Sequence, residues 1–386
     1  MSDVNLSPAD DSMTKVEMPT EEMDSARIAA PDSDGLEHVT PGAVIVRYLT
    51  QHSPEFAELS KLREIGWQNP DGDRFFQRQR AQATNPTEKT KLYFYEMMKR
   101  IGDEMQRITG ALKTKSPGSD FPRILDMGMA PGGFLATAMR LNPRAKALGL
   151  SLPIANGGYP SLVPEREDID LRYLDVTMLA ADLGFEDIPA DHPDADKFLP
   201  RQFEPGRKFD LVICSSSVVR EHEVGEYRKI TEPRRLTTSQ LALGLERLIP
   251  GGTMVVLFHK VEAWTTVVQL YRFSKFCEKL FLFKPTKGHT KRSSFYMVAT
   301  GVQSQNPEAI LAIERWKQVW RAATLDVEGT GTMLQELDEE EPSPEEILRE
   351  FGEDLVRLGK RAWSIQADAL RDAPFITGHH SKTLEQ

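Results

Sequence analysis

Between Ile124 and Phe134 the chain reads ILDMGMAPGGF, an apolar run that closes on an acid and opens into a turn with three glycines. Asp126 ends the run, and Gly128, Gly132 and Gly133 bracket Ala130-Pro131. Glycines at such a point let backbone approach a ligand and accept positive φ. A helix starting near Phe134 would direct unpaired N–H groups at that ligand, which is the geometry of a nucleotide or adenosyl site. The spacing is neither G-x-G-x-x-G nor a Walker A loop. The other reading is a structural tight turn. Further along, Glu221, His222 and Glu223 cluster after an apolar run, and His259 precedes Lys260. His222 has the chemistry of a general base near neutral pH, or is an exposed loop histidine.

Elements able to position these groups follow from periodicity. Strand patterns occur at RILDMG, AKALGLSL, DLRYLDV, KFDLVICSSS, TMVVLFHKV, KLFLFKP and SSFYMVATG, with helical stretches between most of them. That alternation predicts a doubly wound, mostly parallel seven-stranded sheet whose last two strands follow one another as in a hairpin. In an open sheet of this kind ligands sit outside the carboxyl ends of the strands. TTSQLALGLERLI is the clearest helix, with Thr237 or Thr238 as N-cap and Gly251-Gly252 as the stop. The organisation expected is an acidic, disordered 1–40, a helical extension over 41–112, the sheet domain over 113–301 and a helical tail over 302–386. That tail contains the acidic linker QELDEEEPSP and a last helix opened by the capping box Ser343-Pro344-Glu345-Glu346.

Composition narrows the class. The 386 residues are 40% hydrophobic and 27% charged, with net charge −10 and two cysteines, Cys214 and Cys277. Two distant cysteines exclude a disulfide framework and a cysteine zinc site, and no metal site is expected. No run is long and apolar enough for a membrane helix, and the N-terminus lacks secretory character. An intracellular location, cytoplasm or nucleus, is the expectation. The acidic balance argues against a broad nucleic-acid-coating surface but leaves room for a local basic groove. Residues 259–292 gather Lys260, Arg272, Lys275, Lys279, Lys284, Lys287, Lys291 and Arg292 among interleaved aromatics, which suits phosphates and stacked bases. A helix with one solvated basic face explains Arg272, Lys275 and Lys279 as well. The loop 284–292, KPTKGHTKR, is the better candidate for RNA.

LDMGMAPGGF resembles the S-adenosylmethionine motif of the FtsJ-like ribose 2′-O-methyltransferases, where L-D-x-G is followed by A-P-G-G-F. FDLVICSSS, LIPGGTMVV and KPTKGHTKRSSFYMVATG resemble the family's fourth strand, its fifth strand and its closing stretch, so the likeness covers about residues 85–301. It implies a Rossmann-like methyltransferase with S-adenosyl-L-methionine as cofactor. Gly128, Ala130, Pro131, Gly132, Gly133 and Phe134 would surround the methionine end, with Asp126 acting there too. Asp175 falls where such enzymes place an acid beside the adenine, and Ser151 replaces the acid that contacts the ribose.

The family resemblance also implies a Lys-Asp-Lys-Glu tetrad acting on an RNA ribose 2′-hydroxyl. Ser215 stands at the position of the aspartate. Leu257 takes the place of the second lysine, which Lys260 replaces only if it lies past the strand end. Ser294 or Phe295 stands where the glutamate is expected. Lys91 is the best match to the first lysine, with Lys89 and Lys99 as alternatives. The expected activity is methyl transfer to RNA. The alternatives are a methyltransferase acting on a small-molecule hydroxyl and a cofactor-binding interaction module without catalysis.

Overall fold

The computed structural model describes residues 39–84, 86–114, 121–218, 224–327 and 331–377. The expectation of disorder over 1–40 therefore falls almost wholly outside the described residues, as does His222 with its neighbours Glu221 and Glu223.

Seven strands form one sheet: β1 Arg123–Met127, β2 Lys146–Ser151, β3 Ile169–Tyr173, β4 Phe209–Cys214, β5 Leu248–His259, β6 Lys279–Phe283 and β7 Ser294–Val302. Their order is β3-β2-β1-β4-β5-β7-β6. The five strands from β3 to β5 are parallel, and β7 is antiparallel to both its neighbours. The order reverses at β1, with β2 on one side and β4 on the other. This is the switch point where an open α/β sheet binds ligands. β1 and β4 are almost wholly buried, as continuous apolar runs covered on both faces must be.

Four helices precede the sheet: α1 Pro41–His52, α2 Pro54–Gln68, α3 Pro70–Thr84 and α4 Glu88–Thr109. Within and after the sheet come α5 Gly133–Leu141, α6 Glu232–Glu246, α7 Trp264–Phe276, α8 Pro307–Leu325, α9 Thr332–Glu339 and α10 Pro344–Arg371. α4 and α5 cover one face, where Phe94, Met97 and Ile101 meet Phe134, Ile213, Val255 and Tyr296. α6, α7, α8 and α10 cover the other. α1 and α2 pack against α10, so the two flanks of the sequence come together. Phe56 meets Trp363 edge-on at 5.2 Å, and Asn69 Nδ2 donates to the Phe375 carbonyl at 2.6 Å. The Ser343–Glu346 capping box forms as expected.

Three expectations are corrected. α6 begins five residues early, at Glu232 after Thr231, because Pro233 and an acid in the first turn start it there. Thr238 instead lies inside the helix, its hydroxyl donating to the Arg234 carbonyl at 2.8 Å. Pro250-Gly251-Gly252 does not stop α6. It lies within β5 as an irregular stretch where the β4 pairing shifts register. The first half of the acidic linker is helical, as the end of α9, and arginines from three helices neutralise acids in it and just beyond it. Arg234 pairs with Asp338, Arg315 with Glu340 at 2.6 Å, and Arg272 with Glu341 at 2.6 Å.

Candidate active site

The turn after β1 is drawn tightly onto β2. Gly128 and Met129 N–H groups both donate to the Leu150 carbonyl, at 2.8 and 3.0 Å. Gly128 takes φ 86°, and a Cβ there would lie 2.4 Å from the Ser216 nitrogen, so no other residue fits. Gly132, at φ 104°, occupies the N-cap of α5 and offers no side-chain acceptor, which leaves the first-turn N–H groups to other partners. Leu162 N–H donates to the Pro131 carbonyl at 2.9 Å, and a Val163 methyl lies against Gly132. That segment covers the turn from one side. The opening runs instead past Gly128 to Ser151, Leu174, Asp175 and Ser216, which border a cleft of about 420 Å³ that includes space open to solvent.

Asp126 lies beneath this turn. It is fully buried, and both carboxylate oxygens are without hydrogen-bond partners among the described residues. Burial pushes its pKa up to about 8. It is paired in register with Ile213 of β4 and so faces α4 and α5, the side on which Phe134 meets Tyr296 at 5.2 Å. Ser215 follows β4: its N–H donates to the Met127 carbonyl at 2.9 Å and its hydroxyl to the Gly128 carbonyl at 3.4 Å. Ser215 therefore ties the β4 end to the turn. Asp175 borders the cleft, but its carboxylate is engaged. Oδ1 accepts from the Thr177 N–H and hydroxyl at 2.9 and 2.8 Å, and Oδ2 accepts from Arg228 at 3.1 Å. Arg228 is in turn held by Glu232 at 3.1 Å. The carboxylate expected beside an adenine is thus part of a wall built on a buried ion cluster.

At the carboxyl end of β5, Lys260 lies one residue past the strand. Its φ of 47° turns it out of the pleat, and its N–H donates to the Ser293 carbonyl at 3.1 Å. Lys260 thus lies past the end of β5, with its ammonium 5.8 Å from the centroid of the Trp67 ring of α2. Leu257 pairs with Tyr296 and His259 with Ser294, so all four side chains share one face of the sheet. This face is also that of Asp126. His259 is the candidate that sequence reasoning left out of its site. The two-residue step from Leu257 was a signal for it, once β5 was known to run to 259. Lys91 lies near the start of α4 and pairs with Glu88 at 2.7 Å. Lys99 pairs with Glu96 at 2.9 Å.

The basic stretch is corrected. Lys275 stays exposed and pairs across the surface with Glu350 at 2.7 Å, whereas Arg272 is largely covered and taken up by Glu341. In the loop 284–292, Lys284 and Arg292 are buried. Lys284 Nζ donates to the carbonyls of His289, Arg292 and Ser294, which makes it a structural pin. His289 is buried as well, and burial, with Arg292, Lys284 and His259 nearby, pushes its pKa down to about 3. Lys287 and Lys291 are the cations of this loop that reach the surface.

Residues suited to S-adenosyl-L-methionine are present. Leu174 offers apolar wall, Ser151 a hydroxyl, the first turn of α5 its N–H groups, and Asp126 an unpartnered acid below the turn. Among the described residues no group of histidine, cysteine and acidic side chains could hold a metal ion, and no helix is long and apolar enough to cross a membrane.

A search of curated proteins returned no match. Among solved structures, a ribosomal RNA methyltransferase from Plasmodium falciparum is similar at 16% identity, with TM-score 0.35, over 53% of this chain and 96% of that one. An rRNA methylase from Streptococcus thermophilus is similar at 13% identity, with TM-score 0.29, over 54% and 95%. Human N-acetylserotonin methyltransferase in complex with S-adenosylmethionine is similar at 15% identity, with TM-score 0.30, over 68% and 72%. The family model described as FtsJ-like methyltransferase matches residues 103–302, more than half of the chain. This chain belongs to the FtsJ-like methyltransferase family, and its cofactor is S-adenosyl-L-methionine.

Proposed function

We propose that this protein transfers a methyl group from S-adenosyl-L-methionine to a ribose 2′-hydroxyl of RNA. The observation that carries the reading is the place of Lys260. It is a cation turned out of the pleat at the carboxyl end of β5, next but one to the strand that ends beneath the glycine turn. The cofactor supplies a methyl carbon bonded to a sulfonium, and the side chains described above hold the two reactants in line.

Gly128, Gly132 and the first turn of α5 would hold the methionine end, with Asp126 beneath them. Ser151 would meet the ribose of the cofactor and the apolar wall at Leu174 its adenine, with Asp175 bracing that wall. Ser215 fixes the turn to the end of β4. On the acceptor side, Lys260 and Lys91 would orient the hydroxyl oxygen and the His259 imidazole would take its proton; the C–O bond formed would replace the C–S bond of the sulfonium, which would leave as a neutral thioether. Proton acceptance by a nearby base, together with alignment, accounts for much of the acceleration such a displacement needs. His222 remains a rival for the same proton.

The test is calorimetric titration with S-adenosyl-L-methionine, followed by transfer from labelled cofactor to total RNA and to a small-molecule extract. Heat on binding and label recovered as 2′-O-methyl nucleosides are expected. Label in the small-molecule fraction alone would reassign the substrate. Binding without any transfer would make the protein an interaction module.

A further inference from the structure

Five tryptophans occur in the chain, and Trp316, Trp320 and Trp363 are buried in the core. Trp67 is the exception, with 54% of its surface exposed near the end of α2. The helix on either side of this ring is tied down. One helical turn earlier, Arg63 pairs with Glu262 at 2.5 Å, with both side chains nearly buried. Arg63 also donates to Gln366 at 2.9 Å, and Gln366 donates to the Lys291 carbonyl at 3.1 Å. Two residues on, Asn69 is tied to Phe375. These ties join α2 to the turn after β5, to α10 and to the surface end of the loop 284–292.

The same turn carries Lys260, whose ammonium lies 5.8 Å from the centroid of the Trp67 ring. Glu262, the anchor of Arg63, is two residues from Lys260. One buried ion pair thus ties the helix that carries the ring to the turn that carries the cation. A large aromatic face kept in water beside a lysine is costly for stability alone, because burying it would remove well over 100 Å² of apolar surface from water. Aromatic faces of this kind stack nucleobases irrespective of sequence, and an adjacent cation meets the phosphate or ribose.

We propose that Trp67 is the stacking platform for a base of the acceptor strand, a single-stranded segment of RNA, with Lys260 beside the sugar-phosphate. The proposal rests on the RNA reading above and adds that the helices before residue 85 contribute to substrate binding. The experiment is fluorescence titration of the full chain with a short single-stranded oligoribonucleotide, alongside calorimetric titration with S-adenosyl-L-methionine. Quenching of tryptophan emission is expected in the wild type. Trp67→Phe should keep most of the affinity and lose most of the quenching. Trp67→Ala should weaken oligonucleotide binding roughly 5- to 150-fold, since base stacking contributes about 1–3 kcal/mol, and should raise KM for RNA more than it lowers kcat. Cofactor binding should be unchanged in both variants. Unaltered affinity in Trp67→Ala, in a wild type that binds and methylates RNA, overturns the platform alone. A wild type that binds cofactor but no oligoribonucleotide overturns both this proposal and the RNA reading.

Discussion

Replacing Asp126 by asparagine should stabilise the protein increasingly as pH rises. The carboxyl is fully buried, its oxygens have no partners among the described residues, and burial pushes its pKa up to about 8. In the unfolded chain an aspartate titrates near 3.9. Between about pH 4 and pH 8 the native state therefore keeps a proton that the unfolded state releases. Its contribution is fully present below about pH 4 and is lost as pH rises through about 8. The slope is about 1.4 kcal/mol per pH unit, so roughly 3 kcal/mol disappears between pH 5 and 7.5. Asparagine has nearly the same shape and no proton to lose. The stability of Asp126→Asn relative to wild type should thus climb by about 3 kcal/mol over that interval. With an unfolding entropy of about 2.1 cal/mol/K per residue, the Tm difference should widen by about 4 °C. Scanning calorimetry of both proteins at constant ionic strength across this range measures it. Parallel Tm curves would refute the reasoning, because they would mean that the carboxylate is already ionised and solvated or paired.

Other perturbations probe the remaining pieces. Gly128→Val should abolish the heat of cofactor binding, since even a Cβ at that position meets the Ser216 backbone, and calorimetry reads it directly. Lys260→Ala should leave that heat intact while removing transfer to RNA, as scored by label incorporation. Glu262→Gln leaves the Arg63 guanidinium nearly buried and uncompensated, and should cost about 3 kcal/mol in denaturant unfolding. Ser343→Ala removes the capping-box hydroxyl at the start of α10 and should cost about 1 kcal/mol by the same measurement.

The sheet was readable in the letters because buried parallel strands are uninterrupted apolar runs and the glycine turn between β1 and α5 permits little else. All seven strands overlap the segments read as strands, including β3, whose IDLRY is mixed in polarity and only half-buried. What escaped was set partly by partners distant in sequence and partly by local features that periodicity does not show. Lys284 and Arg292 look like phosphate ligands in a string of cations, yet Lys284 is held inside the fold by carbonyls of its own loop and of the first residue of β7. Arg272 looks solvated until Glu341, just past α9, covers it. The beginning of α6 was misplaced because two threonines resembled a cap while Pro233, five residues upstream, had already started the helix. For the site, the glycine turn was legible from its residues, while Ser215 entered through the family resemblance. His259 was not singled out, because its role depends on where β5 ends, and Trp67 because it lies outside the segment that carries the motifs.

The contact of α2 with α10 has a consequence for synthesis. Phe56 and Arg63 leave the ribosome early, while Trp363 and Gln366, which complete their surroundings, follow some three hundred residues later. At about 5–20 residues per second that is a wait of roughly 15–60 s. Through that interval the first helices have an apolar face with nothing to cover it. Trp67 and Lys260 cannot be locked against each other until the chain is nearly finished, so the acceptor side of the site would be the last part of the enzyme to exist.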